Sequence, residues 1–262
     1  MSNHPSHDSV IDALDALGLR ANPEALRALL NHLTKSRASP IETCEQLAAL
    51  ERRERDERNL ARRAKAATLG RFDALDQFDW AHPRTIDRPL YERLLSLDFL
   101  GHAENVLLRG QSGVGKTTLA QNLALAALQK GHTVRFCTLA SALADLSRQE
   151  SLPGLERRLH RYTRVDCLVL DELGYLPCDS RSADLLYNII SRRHEKRSTV
   201  ITTNLAFKLW GSIFPGAACV AALIDRFVQH CHVVDIDADS WRQKQGPPPP
   251  VAKRRTRSST AE

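Results

Sequence analysis

Residues 110–118 of this chain have the types and spacing for phosphate chemistry. Gly110-Gln111-Ser112-Gly113-Val114-Gly115-Lys116-Thr117 fits G-x-x-x-x-G-K-S/T at every position, with Thr118 next and the apolar run Val106, Leu107, Leu108 just ahead. Glycines at 110, 113 and 115 let the backbone turn tightly, so that several N–H groups converge on a polyphosphate at the positive end of the following helix. Lys116 is placed to reach the β- and γ-phosphates, and the Thr117 hydroxyl to hold Mg²⁺. The expected ligand is a nucleoside polyphosphate with its metal.

A second set follows at Cys167-Leu-Val-Leu-Asp171-Glu172, an apolar run too short for a helix that ends in two adjacent carboxylates. Side chains alternate along a strand, so the two acids can divide two tasks. Asp171 would hold Mg²⁺ through water, and Glu172 would polarise the attacking water as general base. Thr199-Val-Ile-Thr-Thr-Asn204 reads as a further strand with a polar end, and ligands bind at the carboxyl ends of parallel strands. Asn204 is the candidate there for holding the attacking water or sensing the γ-phosphate. An arginine near the γ-phosphate stabilises transition-state charge; Arg226 and Arg242 are the candidates, and spacing alone leaves a surface salt bridge open for each.

These groups need an alternating α/β frame to converge. Beyond the loop, a helix over Lys116–Lys130 should bury Leu119, Leu123 and Leu128 and stop at Gly131. Thr133–Cys137 predicts the second strand, and two helical patterns, Leu139–Leu146 and Leu152–Tyr162, separate it from the acid-bearing strand. Later come a helix over Asp184–Arg193 with Leu185, Leu186, Ile189 and Ile190 inward, a helix over Ala217–Val228 and a strand over His232–Ile236.

Ahead of the ATPase-like half, three helical patterns begin near Val10, Pro23 and Pro40, with Asn22 and Ser39 as caps. Glu51 through Asn59 contains no apolar residue, so the third helix should be solvated there and supported by Glu51/Arg55 and Glu54/Arg58 pairs. Arg62, Arg63 and Lys65 continue it as a basic stripe, either a nucleic-acid or partner contact or a charged connector. Arg157, Arg158 and Arg161 offer the same choice between nucleic acid and a solvated face. The expected organisation is a small all-α domain over 1–69, an α/β domain with a parallel central sheet over 70–245, and a disordered Pro/Arg-rich tail over 246–262.

Composition sets outer bounds. The 262 residues carry 37 Lys plus Arg against 31 Asp plus Glu. Six of the basic residues, against one acid, lie from Arg242 onward, which suits a polyanionic partner or simple solubility. The six cysteines form no C-x-x-C pair and read as small buried residues in a reducing compartment. His230-Cys231-His232 puts alternate side chains on opposite faces of a strand, which disfavours a metal site. No signal-peptide pattern opens the chain and no apolar run approaches the roughly 18 residues of a membrane span, so a cytoplasmic location and no membrane partner are expected.

Together, the 110–117 loop, Leu170-Asp171-Glu172-Leu-Gly-Tyr-Leu-Pro177, Thr202-Thr-Asn204-Leu, Ile224-Asp225-Arg226-Phe and Asp239-Ser-Trp-Arg242 resemble the IstB-like ATPases. These are transposition helpers of bacterial insertion sequences, related to DnaC-type helicase loaders within the AAA+ class. The resemblance spans about residues 40 to 245 and includes the Glu51–Arg63 charged helix and Phe78-Asp79-Trp80. It departs at Arg193-His194-Glu195, where Arg-Tyr-Glu is usual, and in the last positions of Leu176-Pro-Cys-Asp179; the tail lies outside it.

The resemblance implies an AAA+ module that assembles side by side on double-stranded DNA with ATP bound, then hands the target to a partner transposase and stimulates it. It further implies Lys116 and Thr117 on ATP and Mg²⁺, Asp171 and Glu172 as the acid pair, and Asn204 as first sensor. Arg226 looks like a finger inserted into a neighbour's site, and Arg242 like a second sensor. The paired helices before the acid strand resemble the insertion that lines the DNA path in the initiator branch. A DnaC-type loader of a replicative helicase shares nearly all these motifs and differs in partner; Cys44, standing alone, lacks the cysteine-rich zinc site some loaders carry. A small-molecule P-loop kinase is disfavoured by the acid pair, which calls for water as nucleophile, and a DNA-binding switch without turnover is disfavoured by Glu172.

Overall fold

The computed structural model describes residues 7–174, 179–214 and 218–241. Three helices, α1 (His7–Ala16), α2 (Pro23–Ser36) and α3 (Pro40–Ala67), precede a two-residue strand β1 (Thr85–Ile86) and short helices α4 (Arg88–Leu94) and α5 (Asp98–Gly101). Then come β2 (Asn105–Gly110), α6 (Lys116–Gln129), β3 (Val134–Thr138), α7 (Leu139–Ser147), α8 (Leu152–Thr163) and β4 (Cys167–Leu173). The chain continues through α9 (Ser180–Arg193), β5 (Ser198–Thr203), α10 (Trp210–Ile213), α11 (Val220–Val228) and β6 (Cys231–Asp237).

The six strands form one sheet in the order β1-β6-β2-β5-β4-β3, parallel except for β1, which pairs antiparallel with β6. Helices cover both faces, so the central strands are continuous apolar runs rather than alternating ones. Their side chains still divide by parity. Val106, Leu108, Cys167, Val169 and Val200 join the core under α4 and α6, while Leu107, Leu168, Leu170 and Ile201 face α7, α8, α9 and α11.

The predicted inward residues of α6 and α9 are all buried. α9 starts at Ser180, four residues before the expected Asp184, because the Asp179 side chain caps it by accepting from the Ser182 amide. α11 starts at Val220; the expected start at Ala217 lies outside the described residues. β1 had no periodic signal to announce it, since two residues between Pro83 and Pro89 become a strand only by pairing with Ile236 and Asp237.

The charged stretch of α3 is only partly the solvated helix its composition predicts. Glu51 is 6% exposed. Its carboxylate accepts from the Arg20 amide at 2.7 Å and from Arg55 and Arg58 at 3.2 Å, while Glu54 accepts from the Asn22 amide. The acids thus satisfy the backbone of the α1–α2 turn, a long-range demand that no local pattern reveals. Burial pushes the Glu51 carboxyl up, but the Arg20 amide and the two guanidiniums outweigh it and leave it below the usual carboxylate range. A depressed carboxyl stabilises the fold above its unfolded pKa and loses that contribution as pH falls through the folded value. Glu51→Gln should therefore lower the melting temperature near neutrality and shrink the gap between wild type and variant on acidification, as read by circular dichroism melts between about pH 3 and pH 7.

The second half of α3 leaves this small helical cluster and packs on the main core. Ala67 and Leu69 are buried there with Leu60 and Ala64 alongside, and Phe72, Leu75, Phe78 and Trp80 continue the contact. This brings the segment that follows α3 beside the phosphate loop.

Candidate nucleotide-binding site

β2 ends at Gly110 and α6 begins at Lys116, so residues 111–115 form a loop at a helix N-terminus. Its glycines answer to three different neighbours. A Cβ on Gly110 would collide with the Ile236 carbonyl, and one on Gly113 (φ +81°) with the Ser240 hydroxyl. One on Gly115 (φ +93°) would sit 2.6 Å from Phe78 Cε2. No side chain fits this cradle, which suits close approach of the backbone to phosphate.

Lys116 Nζ donates to the Gly110 and Gln111 carbonyls at 2.8 and 2.6 Å. The Thr117 hydroxyl lies 3.1 and 3.0 Å from the two Asp171 carboxylate oxygens. A hydroxyl and a carboxylate side by side next to a phosphate cradle are the hard oxygen donors that Mg²⁺ takes, so the residues present fit that ion.

The acid-bearing end of β4 is irregular. Pairing with β5 is regular from Cys167↔Ser198 to Leu170↔Ile201, then shifts so that Leu173 faces Thr203. Glu172, inside this bulge, has φ +64° and its side chain is exposed, while Asp171 is buried at 4%. Thr202 on β5 spans the bulge: its hydroxyl accepts from the Glu172 amide at 2.9 Å and donates to Asp171 Oδ1. Thr203 Oγ1 donates to the Leu173 carbonyl at 2.8 Å.

The cleft over the loop is lined by residues 112–118, Glu172, Leu173, Thr202, Thr203 and Asn204, and on its far side by Asp73, Gln77, Phe78, Asp79, His82 and Trp241. Ser112, Gly113, Val114, Gly115, Lys116, Thr117, Thr118, Glu172 and Asn204, all predicted from sequence, therefore share one cavity. The aromatic wall was missed. Sequence places Phe78 only in the motif Phe78-Asp79-Trp80, and nothing local links residues 78–82 to Trp241. The tertiary links are His82 edge-on to Trp241 at 4.8 Å, the His82 ring nitrogen Nε2 at 2.8 Å from the Asp239 carbonyl, and the Trp241 amide donating to Gly113 at 2.9 Å.

Arg226 does not line this cleft. Its guanidinium donates to the Ser191 hydroxyl on α9 and lies 5.0 Å over the Tyr187 ring. Arg242 falls outside the described residues. Of the basic candidates, Arg63 donates to the Leu128 carbonyl at 3.1 Å, capping the end of α6, and Arg62 bonds the Asn59 side chain. Arg158 pairs with Asp145 at 3.3 Å, whereas Lys65, Arg157 and Arg161 are exposed.

Arg193 of the Arg193-His194-Glu195 departure is 1% exposed and donates to the Tyr162, Val165 and Asp166 carbonyls, a fastener between α8, β4 and β5. Burial pushes it down to about 10. Of the cysteines expected to be buried, Cys167 is, Cys137, Cys219 and Cys231 are half-buried, and Cys44 is exposed. Burial pushes the thiols of Cys137, Cys167 and Cys231 up to about 11, 12 and 12. Among the described residues no three His, Cys, Asp or Glu groups gather as a metal cluster, and no helix is long and apolar enough to cross a membrane.

Comparison with known proteins matches residues 12–247 to a family described as IstB-like ATP binding protein. A protein named as an ATP-binding protein of insertion sequence IS232 from Bacillus thuringiensis subsp. berliner is 33% identical over 91% of this chain and 96% of its own length. The corresponding protein of insertion sequence IS21 from Pseudomonas aeruginosa is 37% identical over 73% of this chain and 72% of its own. Among solved structures, DnaI (TM-score 0.52, 18% identity) covers 64% of this chain and 89% of its own. A replication initiator DnaA bound to AMPPCP and single-stranded DNA (TM-score 0.51, 19% identity) covers 63% and 50%. These likenesses establish an AAA+ P-loop fold.

Proposed function

The chain belongs to the IstB-like ATP-binding proteins, and from that premise and the geometry of the cleft we propose that it is an ATPase that assembles on double-stranded DNA and serves a partner transposase. The observation that carries the hydrolytic part is the junction of Lys116, Thr117, Asp171, Glu172 and Asn204 around one cleft, with Asp171 buried against Thr117 and Glu172 projecting beside it. Lys116 would leave the loop carbonyls for the β- and γ-phosphates. Thr117 and Asp171 would hold Mg²⁺, which when bound neutralises charge on the phosphates. Glu172 takes a proton from water aligned with the γ-phosphate, and Asn204 orients that water. Phe78, His82 and Trp241 wall the side where a base would lie.

Arg226 is held against Ser191 and Tyr187 of α9 and is not part of its own chain's cleft lining, which supports a role for this residue toward a neighbouring subunit. The exposed Arg157 and Arg161 on α8 and Lys65 on α3 support contact with a polyanion. The insertion-sequence context of the relatives favours a transposase as partner over the replicative helicase of a DnaC-type loader. Titration of an arbitrary duplex with ATP, ADP or no nucleotide across a salt series tests the reading. ATP-dependent, salt-sensitive binding of several subunits per duplex is expected. Intact ATP hydrolysis with no duplex binding would overturn the DNA-assembling role and favour the loader.

A further inference from the structure

We propose that Thr202 is a positioning residue: through one hydroxyl it holds both acids of the cleft in working register, an inference that rests on the ATPase reading above. Where β4 bulges, the ladder to β5 is interrupted between Leu170 and Leu173, and the Glu172 amide loses its regular carbonyl partner. The Thr202 hydroxyl takes its place, accepting that N–H at 2.9 Å. A hydroxyl has a single proton, and this one is committed to Asp171 Oδ1. The bond order is therefore directional, running from the Glu172 backbone through Thr202 to the Asp171 carboxylate.

Two consequences follow from burial and strain. Thr202 is 1% exposed, and removing its hydroxyl takes away the hydrogen-bond partner that the Glu172 amide has here. Glu172 also sits at φ +64°, a conformation that non-glycine residues keep only when their surroundings over-determine it. Thr202 supplies that constraint for the backbone that aims Glu172. The same hydroxyl fixes one Asp171 oxygen, and both Asp171 oxygens lie within hydrogen-bonding reach of Thr117. An untethered Asp171 would hold Mg²⁺ less well, and an unpinned Glu172 would aim its carboxylate less well.

The test separates the hydroxyl from the methyl with T202S, T202V and T202A. Two readouts are taken: turnover at saturating ATP and Mg²⁺, and the Mg²⁺ concentration that gives half of the metal's gain in affinity for a fluorescent ATP analogue. T202S should match wild type in both. T202V and T202A should lose roughly ten- to a hundredfold in turnover, the scale of an ångström-level misplacement. Their Mg²⁺ midpoint should rise several-fold while analogue affinity in EDTA stays near wild type, which a general loosening of the fold would not produce.

Where the wild type hydrolyses ATP, wild-type behaviour in T202V or T202A, or movement of only one readout, overturns the proposal. Unfolding of both hydroxyl-free variants while T202S folds also overturns it, by assigning the hydroxyl to stability. If the wild-type chain does not hydrolyse ATP, the ATPase reading fails on its own. The Mg²⁺ midpoint then decides for Thr202: an unmoved midpoint sinks the proposal, and a raised one keeps its metal-side half.

Discussion

Lys116→Ala should abolish measurable ATP binding while leaving the fold intact. The ammonium enters the loop from the first residue of α6 and is held at the Gly110 and Gln111 carbonyls, within the cradle that Gly113 and Gly115 keep clear of side chains. On nucleotide arrival it would exchange two neutral acceptors for charged phosphate oxygens. Two charge-assisted hydrogen bonds at about 1.5–3 kcal/mol each correspond to roughly 10²–10⁴ in affinity. The Gly110 and Gln111 backbone lies near the surface, where water can take over its carbonyls, so stability should change little. Calorimetric titration with ATP, beside a melting curve, checks both halves. ATP affinity in the wild-type range would remove Lys116 from the phosphate site.

The second large effect is expected for Glu172→Gln. The substitution keeps size and hydrogen-bonding reach but removes the basic oxygen, so turnover should fall by about 10²–10⁴, the usual contribution of a general base. ATP should still bind, because Lys116, Thr117 and Asp171 are untouched. Glutamine is no more at ease than glutamate at φ +64°, so the backbone strain at 172 is unchanged and a fall in rate reports the carboxylate rather than the loop. Phosphate release measured beside ATP titration gives the split. If hydrolysis drives release, the variant should also stay on a DNA duplex longer with ATP than wild type does, and an unchanged lifetime would detach release from hydrolysis.

The two variants address different parts of the proposed chemistry, phosphate binding and the activation of water. Neither variant tests Thr202, whose hydroxyl bonds the Glu172 amide and the Asp171 carboxylate rather than supplying a reacting group. Its effect passes through the positions of Asp171 and Glu172, which is why its test reads the metal as well as the rate.

The phosphate loop, the acid pair and the strand–helix alternation were determined by sequence alone, because each is a contiguous string whose chemistry is local. Gly110 to Thr117 must turn tightly into a helix, and runs such as Cys167–Leu170 can only be strands buried on both faces. Asn204, one residue beyond β5, lines the same cleft as the loop, where a strand's carboxyl end offers it to a ligand. What could not be read were the meetings between distant segments. Glu51 lies in a stretch with no apolar residue and is nonetheless buried, because it satisfies the Arg20 amide 31 positions away. Arg63 belongs by composition to a basic stripe, yet it caps a helix end at Leu128. The wall formed by Phe78, His82 and Trp241 joins two ends of the α/β half of the chain. Thr202 was an ordinary strand threonine until the bulge in β4 placed a strained amide and a buried carboxylate on either side of its hydroxyl. Local pattern fixes which residues can do chemistry; the desolvated polar groups of remote segments, each needing a partner, decide which of them are held to it.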